Sequence, residues 1–281
     1  MKNSLTYFFL KFISIFFLCF PRILSIKIAD KLGSLIYLIY PKRKYVVFSN
    51  LNIAFPNKNK EDLELLLKRV YKHHTILIIE FLRQRNINLN KIKIHIDEET
   101  KGILSSNTGQ IFMTAHIGNW EMCIPILNQF RKVAAVVRIQ NNSGGDKFIQ
   151  EARQFDNTTL ISMRGSKKEM MKSLLNGKIL ALASDQNAKE KGTKISFFGK
   201  ETSVPNGAAY FHYKTKCPII IGFCILNKDY SYEFKLRTLD PISNDNIENL
   251  CIDVNTKYSL LLEEEIKKYP EQYFWFHKKW G

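Results

Sequence analysis

With 281 residues, 45% hydrophobic and 24% charged, the chain can bury a substantial core and is neither disordered nor a polytopic membrane protein. Its formal net charge of +16 favours polyanionic partners: anionic lipid, an acidic protein or nucleic acid. Five scattered cysteines without a C-x-x-C pair suggest neither a disulfide framework nor a zinc site, and read as reduced thiols.

Leu5 to Phe20 is almost wholly apolar, with Lys11 its only charge, and Pro21-Arg22 ends it. A spanning helix needs about 20 apolar residues, so this run is borderline between crossing a bilayer and lying on it. Ile23 to Tyr40 carries Lys27, Asp30 and Lys31 and reads as amphipathic. Residues 1–50 hold eight basic residues against Asp30 alone. Most of them follow the first apolar run, which by the positive-inside rule puts the main domain on the cytoplasmic side. No small-x-small cleavage site follows, against a removable signal peptide. The expected division is a membrane-anchoring region over 1–44 and a catalytic domain over 45–281.

Pro41-Lys42-Arg43-Lys44 reads as a solvated break. The spacing of Leu63, Leu66, Leu67, Val70, Ile76 and Ile79 predicts a helix over Lys60–Leu82, acids first and bases later, as the helix dipole prefers. Short β-type runs then alternate with helical segments. The predicted strands are 111–114, 133–137, 159–162, 179–183, 195–198, 218–225 and 232–236. The predicted helices are 119–130, 147–155, 167–175 and 207–214, with a closing helix over 257–269. This alternation predicts an α/β fold: a mixed, largely parallel central sheet flanked by helices, joined to the N-terminal hydrophobic helical region.

The chemistry concentrates in Thr114-Ala115-His116-Ile117-Gly118-Asn119-Trp120-Glu121, directly after the apolar run Ile111-Phe112-Met113. His116 falls at a strand end, a common place for catalytic groups in α/β folds. Asn119 is a candidate N-cap, which puts Glu121 in a helix's first turn, able to point back toward the imidazole. Gly118 permits a tight turn and close approach of substrate. A histidine near its ordinary pKa of about 6.5 can deprotonate a hydroxyl as it attacks a thioester, with no protein nucleophile required. Cys123 reads as a core residue. Alone, H-x-x-x-x-E also fits a histidine hydrogen-bonded at a strand end.

Further blocks along the chain carry a family resemblance. They are Asn50-Leu51-Asn52-Ile53-Ala54-Phe55-Pro56, then Ala115 to Glu121, Arg164-Gly165, and Leu182-Ala183-Ser184-Asp185-Gln186. Phe197-Phe198-Gly199 with Pro205 to Ala209 follow, and last Pro270 to Trp280. In this order the chain resembles the lipid A biosynthesis acyltransferase family, late acyltransferases that add secondary acyl chains to lipid A precursors. They sit within the wider H-x-x-x-x-D/E glycerolipid acyltransferase group. The resemblance implies acyl transfer from acyl carrier protein or CoA thioester to a hydroxyl of an amphipathic glycolipid at the cell inner membrane, with no cofactor beyond that co-substrate. It implies His116 as general base with Glu121 as its partner, and Gly118, Asn119, Arg164, Asp185 and Gln186 as substrate-binding residues, Arg164 toward phosphate. Whether Glu121 or Asp185 touches the imidazole stays open, as do chain length and acceptor hydroxyl. Implied partners are acyl carrier protein, a lipid A precursor and membrane lipids. The chain departs from the pattern at Asn187-Ala188-Lys189-Glu190, where further acid and glycine are expected. Relatives acylate mannosylated phosphatidylinositol, so another glycolipid or phospholipid acceptor is the alternative. A nucleic-acid role would use the charge, but no zinc-finger, RRM or helix-turn-helix pattern accompanies it.

Overall fold

The computed structural model describes residues 2–41, 43–242 and 246–280, so the expected break at Pro41–Lys44 lies partly outside the described residues. Two apolar helices open the chain, α1 (Lys2–Leu18) and α2 (Arg22–Ile39), parted by Pro21, which cannot donate to the preceding turn. Next come α3 (Lys44–Ala54) and α4 (Lys60–Leu82). The Asn59 side chain caps α4 by accepting from the Asp62 N–H, and Glu61 and Asp62 occupy its first turn.

The body alternates as predicted. β1 (Lys93–Ile96), α5 (Glu98–Ser105), β2 (Gln110–Thr114), α6 (Cys123–Leu127), β3 (Val133–Val137), α7 (Ser143–Arg153), β4 (Thr158–Ser162), α8 (Lys167–Leu175) and β5 (Ile179–Ala183) come first. A hairpin of β6 (Thr193–Phe197) and β7 (Lys200–Val204) follows, then α9 (Gly207–Thr215), β8 (Ile219–Leu226), β9 (Tyr232–Leu239) and α10 (Ile247–Lys268). Seven strands form one sheet in the order β1-β9-β8-β2-β5-β3-β4. β8, β2, β5, β3 and β4 are parallel, while β9 is antiparallel to β8 and β1 follows β9. The largely parallel mixed sheet is therefore present.

The central strands are buried on both faces, as parallel sheets require. Ile111 and Met113 of β2 enter one core layer and Phe112 the other; Ile219 and Ile221 of β8 oppose Ile220 in the same way. This alternation follows from the two-residue period of a strand. The Phe198-Gly199 link between β6 and β7 has positive φ at both residues, 51° and 72°, the geometry of a two-residue hairpin turn.

No helix of the described residues is long and apolar enough to cross a membrane. α1 instead docks one side on the body. Tyr7 and Lys11 meet Glu151 of α7, and the Cβ-free face of Gly144 lies against the backbone of Asn3 and Tyr7. Its other side leaves Leu5, Phe8, Phe9, Phe12, Ile15 and Phe16 exposed, at helical spacing. α2 packs along α4, with Arg22 paired to the buried Glu80 at 2.7 Å. A contiguous exposed apolar face of this kind is where soluble proteins meet a membrane or a partner.

Candidate active site

The site forms at the C-terminal ends of β2 and β5, which are hydrogen-bonded neighbours. Ala115 and His116 leave β2; Ser184 and Asp185 leave β5, and the Ser184 N–H donates to the Thr114 carbonyl at 3.0 Å. The Tyr258 hydroxyl donates to that same carbonyl from α10. These bonds hold both strand ends in register, and they place His116 Nδ1 2.7 Å from Asp185 Oδ1. An ionised carboxylate only accepts, so Nδ1 carries the proton and Nε2 keeps its lone pair. The His116 side chain is 22% exposed and Asp185 is 2% exposed: the carboxylate is sealed and the imidazole is reachable.

Burial pulls the His116 pKa down, but the charge and hydrogen bond of Asp185, helped by Glu121, outweigh it and hold the imidazole above its ordinary 6.5. Burial likewise pushes Asp185 up, and the His116 charge and hydrogen bond pull it below the usual carboxylate range. Each therefore stabilises the charged form of the other.

The C-terminal segment locks this pair. Lys279, 3% exposed, donates from Nζ to the Asp185 carbonyl at 2.5 Å and lies over the Phe197 ring. Burial lowers its pKa to about 8 against the pull of Asp185. Tyr273 is buried beside them: burial, with the charge of Asp185 nearby, pushes its phenol well above the usual tyrosine range. The Phe274 N–H donates to the His116 carbonyl, and Asn50 Nδ2 donates to the carbonyls of Trp275 and His277 at 2.8 and 2.7 Å. The asparagine-rich block and the terminal block, 225 residues apart at Asn50 and Trp275, thus form one structural unit.

Glu121 is not the imidazole's partner. Its carboxylate receives Arg153 Nε at 2.8 Å and Nη2 at 2.6 Å, and Trp120 Nε1 at 2.9 Å. It stands close enough for its charge to act on His116 without bonding to it. The expected helix over 119–130 is also shorter and tighter: a 3-10 turn over Trp120–Met122, then α6. Asn119 does not cap it. Its side chain donates to the Tyr232 hydroxyl at 2.9 Å, which in turn donates to Glu80. Asn119 is 2% exposed and belongs to a buried polar network under the turn.

Gly118 has φ +60° and lies against the Cys224 carbonyl, so a Cβ here would collide with the β8 backbone. Its N–H donates to the Gln272 carbonyl, and the next N–H, of Asn119, donates to Cys224. Trp120 and Phe274 line the imidazole, with ring centroids 5.1 and 6.0 Å away. Cys123 is buried, and burial raises its thiol to about 12, an inert group. Gln186 is half-buried beside Asp185. Arg164 is exposed after β4, three strands from β2 along the same edge, roughly 14 Å away at the usual strand spacing. The structure thus brings together His116, Asp185 and Gln186, with Gly118 in the adjoining turn. It sets Arg164 apart and turns Asn119 and Glu121 inward. Arg153, Tyr273 and Lys279 are site residues that the sequence motifs did not single out by role. Among the described residues no group of three His, Cys, Asp or Glu side chains is arranged to hold a metal.

A family model described as bacterial lipid A biosynthesis acyltransferase matches residues 2–281. The lipid A biosynthesis palmitoleoyltransferase of Escherichia coli (strain K12) is 20% identical over 258 residues, 90% of this chain and 83% of that protein. The phosphatidylinositol mannoside acyltransferase of Mycobacterium tuberculosis (strain ATCC 25618 / H37Rv) is 23% identical over 157 residues, 52% of this chain and 49% of that one. Among solved structures, the 1-acyl-sn-glycerophosphate (LPA) acyltransferase PlsC from Thermotoga maritima superposes with a TM-score of 0.39 at 17% identity, covering 86% of this chain and 98% of that one.

Proposed function

The chain belongs to the bacterial lipid A biosynthesis acyltransferase family and is an acyltransferase with a lipid acceptor, and we propose that the acceptor is a lipid A precursor and that His116 is the general base. The observation that carries the mechanism is the 2.7 Å contact of His116 Nδ1 with the sealed Asp185 carboxylate. It leaves Nε2 free on the exposed side of the ring. The acceptor hydroxyl attacks the thioester carbonyl carbon while Nε2 takes its proton. The tetrahedral intermediate collapses by breaking the C–S bond, and the imidazolium returns the proton to the departing thiolate. Asp185 stabilises the imidazolium between these steps, as the acid of a catalytic triad does. Glu121 adds negative charge nearby and, through Arg153, fixes the turn that carries His116.

The donor in this reading is an acyl carrier protein thioester, or acyl-CoA; the net charge of +16 suits an acidic carrier and an anionic lipid surface. The exposed apolar side of α1 lies in the interface of the inner membrane, with the site on the cytoplasmic side. Arg164, about 14 Å along the sheet edge, is far enough away to meet a phosphate of a large glycolipid while its hydroxyl sits at His116. The similarity to a phosphatidylinositol mannoside acyltransferase favours a second acceptor class, another glycolipid.

The test uses purified protein, an acyl carrier thioester and a lipid A precursor, with mass spectrometry of the product. The expected product is heavier by one acyl chain, and His116→Ala, folded as judged by its melting curve, makes none. Full transfer by His116→Ala overturns the mechanism. Transfer to a mannosylated phosphatidylinositol but not to the lipid A precursor replaces the first acceptor by the second.

A further inference from the structure

Beside the catalytic turn, on the β8 side of β2 and away from Arg164, lies an open cleft of about 490 Å³. Its wall is bonded to the turn. The Gln272 carbonyl accepts the Gly118 N–H at 3.0 Å, and the buried His73 lines the same wall. Four cations line it: Arg69 and Lys72 from α4, Lys228 from the β8–β9 turn, and Lys268 at the end of α10.

The cleft's acids do not neutralise these charges. Asp30 is taken by Lys72 at 2.8 Å. Lys268 shares Glu265 with Lys235, at 3.4 and 3.0 Å. Arg69 and Lys228 have no acidic partner within 4.0 Å among the described residues, and Glu271 is the remaining lining acid. An open concavity with an unpaired guanidinium fork, an unpaired ammonium and a half-compensated one suits an acceptor-rich anion better than an apolar chain.

We infer that this cleft binds a phosphate group of one of the two substrates while the reacting carbonyl sits at His116. The inference rests on the acyl-transfer reading above. Phosphate could come from the phosphopantetheine arm shared by carrier protein and CoA donors, or from a phosphorylated glycolipid acceptor. The cleft and Arg164 flank the His116–Asp185 pair along one sheet edge, so they give two phosphate-bearing substrates separate ends of the site.

The experiment compares the full chain with Arg69→Gln/Lys228→Gln, both exposed positions, and with Lys194→Gln on the β6–β7 hairpin as a control. Donor and acceptor are varied independently in steady-state transfer. The double variant is expected to raise one KM by about 10- to 100-fold, the loss of charge-assisted hydrogen bonds, with kcat changed less than threefold. A rise in the donor KM assigns the pantetheine phosphate, and a rise in the acceptor KM assigns the glycolipid phosphate. Neither KM moving overturns the inference. Calorimetric titration with 4′-phosphopantetheine and with the phosphorylated acceptor is read in parallel. If the wild-type protein transfers no acyl group, the acyl-transfer reading fails, and the cleft stands or falls on whether it binds one of these compounds and loses it in the double variant.

Discussion

Asp185→Asn separates the role of the buried acid from that of Glu121. The carboxylate is almost fully buried and bonds His116 at 2.7 Å, while the main-chain bond from Lys279 to residue 185 does not depend on the side chain. The variant therefore keeps the strand end in place and removes the charge. An amide at this position can donate to Nδ1, which selects the tautomer with the proton on Nε2 and leaves the base without its lone pair. General-base catalysis is worth about 10²- to 10⁴-fold, so kcat/KM is expected to fall by that factor, about 3–5 kcal/mol of transition-state stabilisation. The pH profile carries a second signature. In the wild-type enzyme His116 is held above 6.5, so kcat/KM falls as pH drops through that raised value. Without Asp185 the burial that lowers the imidazole remains while the main effect that raises it is gone. The acid limb then moves to lower pH even as the maximal rate falls. Steady-state acyl transfer measured between pH 5 and 9 checks both. An Asp185→Asn enzyme with the wild-type rate and an unmoved acid limb would refute the reasoning.

Glu121→Gln weakens the paired, largely buried Arg153, and about 3 kcal/mol of stability is expected to go, read as a lower melting temperature. Its acid limb should also move to lower pH, by less than that of Asp185→Asn, because its charge acts on His116 from farther off. Gly118→Ala forces a Cβ into the Cys224 carbonyl at a left-handed φ, so a loss above about 2 kcal/mol is expected in denaturant unfolding, with transfer activity reduced as well. Arg164→Gln, at an exposed loop, should leave the melting temperature within about 1–2 °C and raise the acceptor KM, since surface changes cost little.

The strands and helices with strong periodicity were legible. β3, β5, α4 and α8 fall on their predicted boundaries because their apolar residues face a core that the pattern alone describes. β1, Lys93-Ile94-His95-Ile96, and β7, Lys200-Glu201-Thr202-Ser203-Val204, escaped because an edge strand and a polar hairpin carry too little apolar signal. Candidate site residues could be proposed from the motifs, but the pairings the structure shows among them could not. Asp185 lies 69 positions from His116, and only the parallel pairing of β2 with β5 joins them. Glu121 is drawn away by Arg153, which no motif marks and which α7 delivers from 32 residues downstream. Asn119 read as a cap because asparagine at a helix start usually is one; here Tyr232, on β9, offers a buried partner that the local sequence does not contain. The N-terminal helices were visible as apolar, but which side is covered depends on α7 and α4.

The central claim is that His116 drives acyl transfer onto lipid A. Mass spectrometry of lipid A from cells with the gene, without it, and without it but carrying the His116→Ala form tests it most directly. The account predicts the loss of one acyl mass without the gene, restored by the wild-type form and not by His116→Ala. Lipid A of unchanged mass in all three, or full restoration by His116→Ala, would contradict it.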